Sequence, residues 1–460
     1  MSFFKKFNLT NLLVYLYLAI FIYLFCYTFY RAEFVYDGNQ FSYYYKYYLI
    51  FIFGICFWIL VLFFNRKLQI VITATIFLFL LYFYETLNFF APSILKLEIM
   101  KFINKESLIV SQLKERNKYD VIQDLKKSKN IDVVPSIVPR TFIAKKLITT
   151  GENIFPLGGV SNTTTVFCKE GEKFSVYKSD RHGFNNPDYE WDNDKIIWLL
   201  IGDSFAQGSC VQPGYDFASR IRFLTKQSAV SLGMSGNGPL LELASLKEYA
   251  LKKKPKVVLW FYFERNDLKD LKEEKSNSVL INYLNDDFTQ NLYSKQFEID
   301  EKLKIYIKLA ESEYIKKIPK IDKKSEQFLS FKKIIRLQIL RDKTSLDRGL
   351  NFGIDPLFRK ILVKAKNLVN SWDGRLYFVY LPDKERYSSQ RVKDNNYLKR
   401  SEIIKLVSNL DIPLIDIHDE FFINQADPIE FFAERIYGHY SPDGYNEISK
   451  VILKNINLIN

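Results

Sequence analysis

The sequence predicts an α/β fold, a three-layer, doubly wound parallel sheet, preceded by three transmembrane helices. Three observations predict it. From about residue 150 onward, short and continuously apolar runs alternate with amphipathic stretches. Those apolar runs end in turns rich in glycine, serine and asparagine. The first 91 residues are almost wholly apolar and aromatic, with six Lys or Arg against three acids.

Residues 1–91 read as a membrane anchor. Apolar runs at 11–30, 47–64 and 68–84 approach the roughly 20 residues that a spanning helix needs, the third only if it continues past Glu85. The first run is too long for a signal-peptide core, lacks a small-x-small cleavage site and is followed by two more runs. Lys5 and Lys6 precede the first span, and Arg66 and Lys67 sit in the turn between the second and third. The positive-inside rule then places the N-terminus and that turn in the cytoplasm. Everything beyond about residue 91 falls on the periplasmic, extracytoplasmic side of the inner membrane. Tyr43, Tyr44, Tyr45, Tyr47 and Trp58 near the span ends suit interfacial anchoring.

Residues 92–150 read as a helical connecting segment that Pro135 and Pro139 bring to an end. Residues 151–460 read as one domain. Its strands are expected at 196–201, 229–232, 257–263, 376–381 and 413–417, apolar throughout, as in a parallel sheet covered on both faces. Helices are expected at 214–226, 239–253, 356–372, 398–410 and about 442–456. A Lys-rich, mostly helical insertion at about 268–350 interrupts the alternation. It reads as a packing cap or a lid over the end of the sheet where α/β folds bind ligands.

The chemistry-bearing residues lie at strand ends. The first strand runs into Ile201-Gly202-Asp203-Ser204-Phe205, where a small residue lets the chain turn sharply and leave a hydroxyl above the sheet. The plainer reading of Ser204 is a helix N-cap. The second strand ends in Leu232-Gly233-Met234-Ser235-Gly236-Asn237-Gly238-Pro239, whose three glycines allow a backbone N–H to face a cleft. The third ends in Phe263-Glu264-Arg265-Asn266-Asp267, where Asn266 is either an amide donor or a cap. Near the C-terminus, His439 lies in Tyr437-Gly438-His439-Tyr440-Ser441-Pro442, with Gly444-Tyr445 close behind.

These four signatures, in this order, resemble the SGNH/GDSL hydrolase family, serine esterases and acyltransferases named for Ser, Gly, Asn and His in successive blocks. The resemblance covers about residues 195–460 apart from the insertion, and implies a flavodoxin-like sheet. It implies Ser204 as nucleophile and His439 as general base. Oxyanion-hole donors would be the N–H of Ser204, the N–H of Gly236 and the amide of Asn266. Two positions depart from the family. The aspartate expected three residues before the histidine is Ile436, which leaves either a Ser204–His439 dyad or another acid, with Glu434, Asp416 and Asp419 as candidates. The residue before Asn266 is Arg265 in place of glycine. Of the three histidines, His182 reads as structural, and His418, flanked by Asp416 and Asp419, is the rival to His439.

Cys168 and Cys210 flank the first strand and would pair in an oxidising compartment. Cys26 and Cys56 lie in spans, no Cys/His spacing suggests zinc, and no cofactor is expected. The net charge of +13 is spread along helical stretches among acids, without a zinc or helix-turn-helix signature, so no nucleic-acid partner is expected. The expected partners are the membrane and an ester-bearing substrate from an envelope polysaccharide or a lipid. Three functions fit: an esterase, an O-acyltransferase acting on an envelope polysaccharide, and a non-catalytic binding or assembly protein on a hydrolase fold.

Overall fold

A computed structural model describes residues 9–35, 41–103, 117–144, 154–317, 334–335, 337, 340, 354–388 and 397–456. The chain divides into two compact units, Met1–Lys114 with Lys317–Gly353, and Glu115–Lys316 with Ile354–Asn460.

The first unit contains the helices Leu9–Tyr30, Phe41–Val61 and Lys67–Ile103. All three are long and apolar enough to cross a membrane, over Leu9–Phe34, Tyr44–Val61 and Lys67–Asn88. The third does continue past Glu85, as its length required. The helices meet through close packing. Tyr17 and Trp58 stack with ring centroids 4.4 Å apart, and the Tyr17 hydroxyl lies 2.8 Å from Thr75 Oγ1. Gly54 takes the ring of Phe21 directly on its backbone, where a Cβ would fall 2.0 Å from a ring carbon. The buried Glu85 carboxylate accepts a hydrogen bond from Leu340 N at 3.0 Å, and Tyr82 Oη donates to Ile335 O at 3.1 Å. Part of the insertion therefore satisfies an acid in the third helix.

The second unit is built on five parallel strands: β4 (Trp198–Ile201), β5 (Ala229–Ser231), β6 (Val257–Phe263), β7 (Arg375–Leu381) and β8 (Leu414–Asp416). Their spatial order is β5-β4-β6-β7-β8. Each strand feeds two cores. Leu199, Ile201, Val258, Trp260 and Tyr262 point to one face, and Trp198, Leu200, Val257, Leu259 and Phe261 to the other. Both faces are covered, which is why the strands read as continuous apolar runs. The helices Pro239–Ser245, Pro356–Asn370 and Arg400–Ser408 cover the first face, and Phe217–Thr225 and Pro442–Asn455 the second. The strand order reverses between β4 and β6, and such a reversal opens a crevice at the strands' C-terminal ends.

Two features differ from the sequence expectation. A second, three-stranded sheet precedes the first: β1 (Val133–Pro135), β2 (Thr164–Val166) and β3 (Val176–Lys178), with β1–β2 parallel and β2–β3 antiparallel. Three-residue strands are too short to carry a period-2 signal. The helix Lys118–Lys129 packs on this sheet, so much of the expected connecting segment belongs to the second unit. Of the insertion, Asp267–Glu274, Ser278–Asn282 and Gln296–Lys317 are packed into the main core through Leu271, Leu280, Ile299 and Leu303. The Glu248 carboxylate pins it by accepting from Gln290 N, Leu292 N and Tyr283 Oη at 2.6, 2.8 and 2.7 Å. This half is a packing cap; most of residues 318–353, where the lid reading also falls, lies outside the described residues.

Candidate active site

At the end of β4, Gly202 adopts φ +156°, and a Cβ there would lie 2.9 Å from Phe261 Cβ and 3.0 Å from Ala206 Cβ. Only glycine makes this turn without displacing β6. The next residue, Asp203, caps the short helix Ser204–Gln207, its Oδ1 accepting from Phe205 N at 2.9 Å. Since Asp203 is the cap, the Ser204 hydroxyl has no capping duty. Ser204 is 7% exposed and sits at the crevice.

His439 is delivered by the loop before the last helix. That loop is closed by Ala433 N donating to His439 O at 2.9 Å and Ser441 N to Phe431 O at 2.9 Å. Ser441 then N-caps Pro442–Asn455. The imidazole packs against Phe205, with centroids 4.9 Å apart. Its Nε2 lies 2.9 Å from Ser204 Oγ, and its Nδ1 lies 2.6 Å from Glu170 Oε1. The tautomer that bonds both neighbours carries its proton on Nδ1, facing the carboxylate, and offers the Nε2 lone pair to the serine hydroxyl. Ser204, His439 and Glu170 thus form an uninterrupted relay.

Glu170 was not among the acids expected from sequence, and none of the three that were lies against His439. Glu434 is exposed and turned toward Gly171, whose added Cβ would meet its Oε1 at 2.5 Å. Asp416 and Asp419 both ion-pair with Arg400, at 2.6 and 2.5 Å, and Asp416 also caps the backbone at His418. His418 is buried, its Nδ1 3.0 Å from the Tyr387 hydroxyl. Ile436, where the family places its aspartate, is 66% exposed. Glu170 comes from the small sheet, on the loop joining β2 to β3. Cys168 and Cys210 are bridged. A signal for Glu170 therefore lay in the sequence: if Cys168 pairs with Cys210, six residues after Ser204, an acid two residues from Cys168 arrives beside Ser204.

The glycine and asparagine turns sit beside this relay. Gly236 has φ +77°, and a Cβ there would lie 2.9 Å from Arg140 Cδ. Asn266 occupies an N-cap position, yet its side chain makes no cap bond. Its Nδ2 instead donates to Asp270 Oδ2 at 2.7 Å and Asp203 Oδ2 at 3.3 Å, and Asp203 Oδ2 also lies 3.3 Å from Ser204 Oγ. Burial raises Asp203 above the usual carboxylate range and pushes Asp270 up to about 7, with Arg140 opposing the latter shift. Arg140, which sequence reasoning missed, pairs with Asp270 at 2.5 Å and Glu273 at 2.7 Å. Glu274 accepts from Gly238 N and Leu240 N, shaping the glycine turn, and burial pushes it up to about 8. Arg265 is taken by an ion pair with Asp383. His182 is structural, buried between Trp191 and Tyr293 with centroids 4.7 and 4.4 Å away, and desolvation lowers it to about 4.

Among the described residues, one group has ligand atoms close enough to suit a metal, Glu170, Cys210 and His439. The Cys210 sulfur is committed to the disulfide and the other two to each other, which leaves no open ligand set.

No protein-family model matches the chain, and no curated protein matches it. Among solved structures, the chain is similar to a lipase/acylhydrolase from Enterococcus faecalis, with a TM-score of 0.32 and 13% identity over 57% of this chain and 95% of that one.

Proposed function

We propose that this chain is a membrane-anchored serine esterase of the SGNH/GDSL type, acting on O-acyl esters through an acyl-enzyme on Ser204. The observation that carries the reading is the Ser204–His439–Glu170 relay at a topological switch point. Ser204 Oγ attacks the ester carbonyl while His439 Nε2 takes its proton. The tetrahedral oxyanion is held by the N–H groups of Ser204 and Gly236, and the Asn266 amide joins them once it turns away from the Asp203 carboxylate to which it donates in the structure. Collapse breaks the ester C–O bond, and His439 returns the proton to the departing alcohol. Water, deprotonated by the same nitrogen, then releases the acid and restores Ser204. Each oxyanion donor contributes on the order of 10²–10³ in rate.

A fluorophosphonate probe tests this on the full chain in detergent. The expected result is one adduct, mapped by peptide mass spectrometry to Ser204. An unlabelled chain would favour the binding or assembly protein. Transfer to a sugar hydroxyl uses the same acyl-enzyme, and the three apolar helices in the same chain suit an acceptor at the membrane, such as an envelope polysaccharide. Product analysis with and without such an acceptor separates transfer from hydrolysis.

The flanking lysines and arginines support an extracytoplasmic active site. Alkaline phosphatase fused after residue 95 should be active and green fluorescent protein fused there dark. The opposite pattern reverses the orientation.

A further inference from the structure

We propose that the Cys168–Cys210 disulfide is a positioning element of the relay. It holds Glu170 against His439, and its cleavage by a dithiol detaches the acid and slows the enzyme. The inference rests on the catalytic reading of Ser204, His439 and Glu170.

Beyond its own bonds to His439, from Nδ1 at 2.6 Å and from the backbone N at 3.4 Å, the acid's support is slight. Glu170 sits on the 167–175 loop between two three-residue strands that belong to the small sheet, not to the sheet bearing Ser204 and the turn before His439. The loop closes on itself through Phe167 N to Ser175 O at 2.9 Å and Ser175 N to Cys168 O at 2.8 Å. Hairpins this short have little stability of their own.

Three links tie the loop to the segment after Ser204. They are the disulfide, Ser175 Oγ donating to Val211 O at 2.6 Å, and Gln212 Nε2 donating to Phe174 O at 3.0 Å. All three end within residues 210–212. That segment is fixed to the nucleophile in turn, with Ser209 N donating to Ser204 O at 2.9 Å. Cys210 itself is held at φ +62°, a left-handed conformation that a cysteine keeps only under constraint from its surroundings. Its sulfur and the ligand atoms of Glu170 and His439 lie within 4.8 Å of one another. The shortest covalent route from nucleophile to acid therefore passes through the bridge. Both cysteines are half-buried, and the neighbouring loop residues Glu172 and Lys173 are exposed, so a small dithiol has access.

The redox step balances by thiol–disulfide exchange. A dithiol gives two electrons and two protons to the sulfurs of Cys168 and Cys210, both become thiols, and the reagent closes to its own disulfide.

The test uses the full chain carrying Cys26→Ser and Cys56→Ser, so that one redox couple remains. Its first readout does not need activity. The short Nδ1–Glu170 bond should give a strongly downfield imidazole N–H proton resonance that is missing from His439→Ala. Reduction with dithiothreitol should abolish it and reoxidation restore it; a resonance that survives complete reduction overturns the proposal. The second readout is turnover of an activated ester. Reduction should lower kcat by roughly 10²-fold or more, within the range that a well-placed base contributes. In a Glu170→Gln background, reduction should cost nothing further, because both changes remove the same interaction. An equal fall in both backgrounds would mark the bridge as merely structural and also overturn it. A chain that shows the redox-sensitive resonance but takes no fluorophosphonate retains the positioning role and loses the esterase reading.

Discussion

Replacing His439 with alanine is expected to lower turnover of an activated ester by about 10²–10⁴, the usual contribution of a positioned general base. The expectation follows from the 2.9 Å approach of Nε2 to Ser204 Oγ and from the carboxylate on the opposite nitrogen, which fixes the productive tautomer. The control is His418→Ala. His418 also has acids close by in sequence, but it is buried on Tyr387 while Asp416 and Asp419 are spent on Arg400. Its loss should lower thermal stability and leave kcat per folded molecule near that of the parent. Steady-state kinetics, with the active fraction counted by titration, separates the two effects. An inactive His418→Ala beside an active His439→Ala would transfer the base to His418 and end the present assignment.

The legibility of this fold follows from where its information is stored. The strands were readable because a parallel sheet covered on both faces needs unbroken apolar runs. The expected 257–263 run coincides with β6, and β4, β5, β7 and β8 lie at or within a residue or two of theirs. Ser204, Gly236, Asn266 and His439 were readable because each sits in a short local pattern at an element's end. The small sheet was not readable, since its strands have three residues apiece and β1 finds its partner β2 about 31 residues on. Arg140 was hidden for a related reason: it reaches the site only through ion pairs with residues more than 100 positions away. The capping roles exchanged places as well. A serine and an asparagine at helix starts both invited a cap reading, yet Asp203 caps the first helix and Asn266 turns its amide to Asp203 and Asp270.

The acid is the case where the sequence reading and the geometry differ, and Glu170→Gln gives the second large effect. The substitution is nearly isosteric, so the loop and the disulfide should remain. What changes is the group facing Nδ1. If the amide presents its NH₂, the imidazole must move its proton to Nε2 and can no longer accept one from Ser204. If it presents its carbonyl, the tautomer survives but the imidazolium formed during attack loses its counter-charge. In serine-protease triads an amide in this place costs about 10⁴ in kcat with little change in geometry. A fall of that order is expected here, in kcat more than in KM, because substrate need not touch Glu170. Glu170→Asp should recover part of the rate, since it keeps the charge and gives up about 1.5 Å of reach, one C–C bond. Glu434→Gln should be silent, because that carboxylate faces Gly171 and solvent. Were Glu170→Gln silent and Glu434→Gln inactive, the working acid would lie in the loop of the histidine itself. The 2.6 Å contact between Glu170 and His439 would then have no part in the reaction.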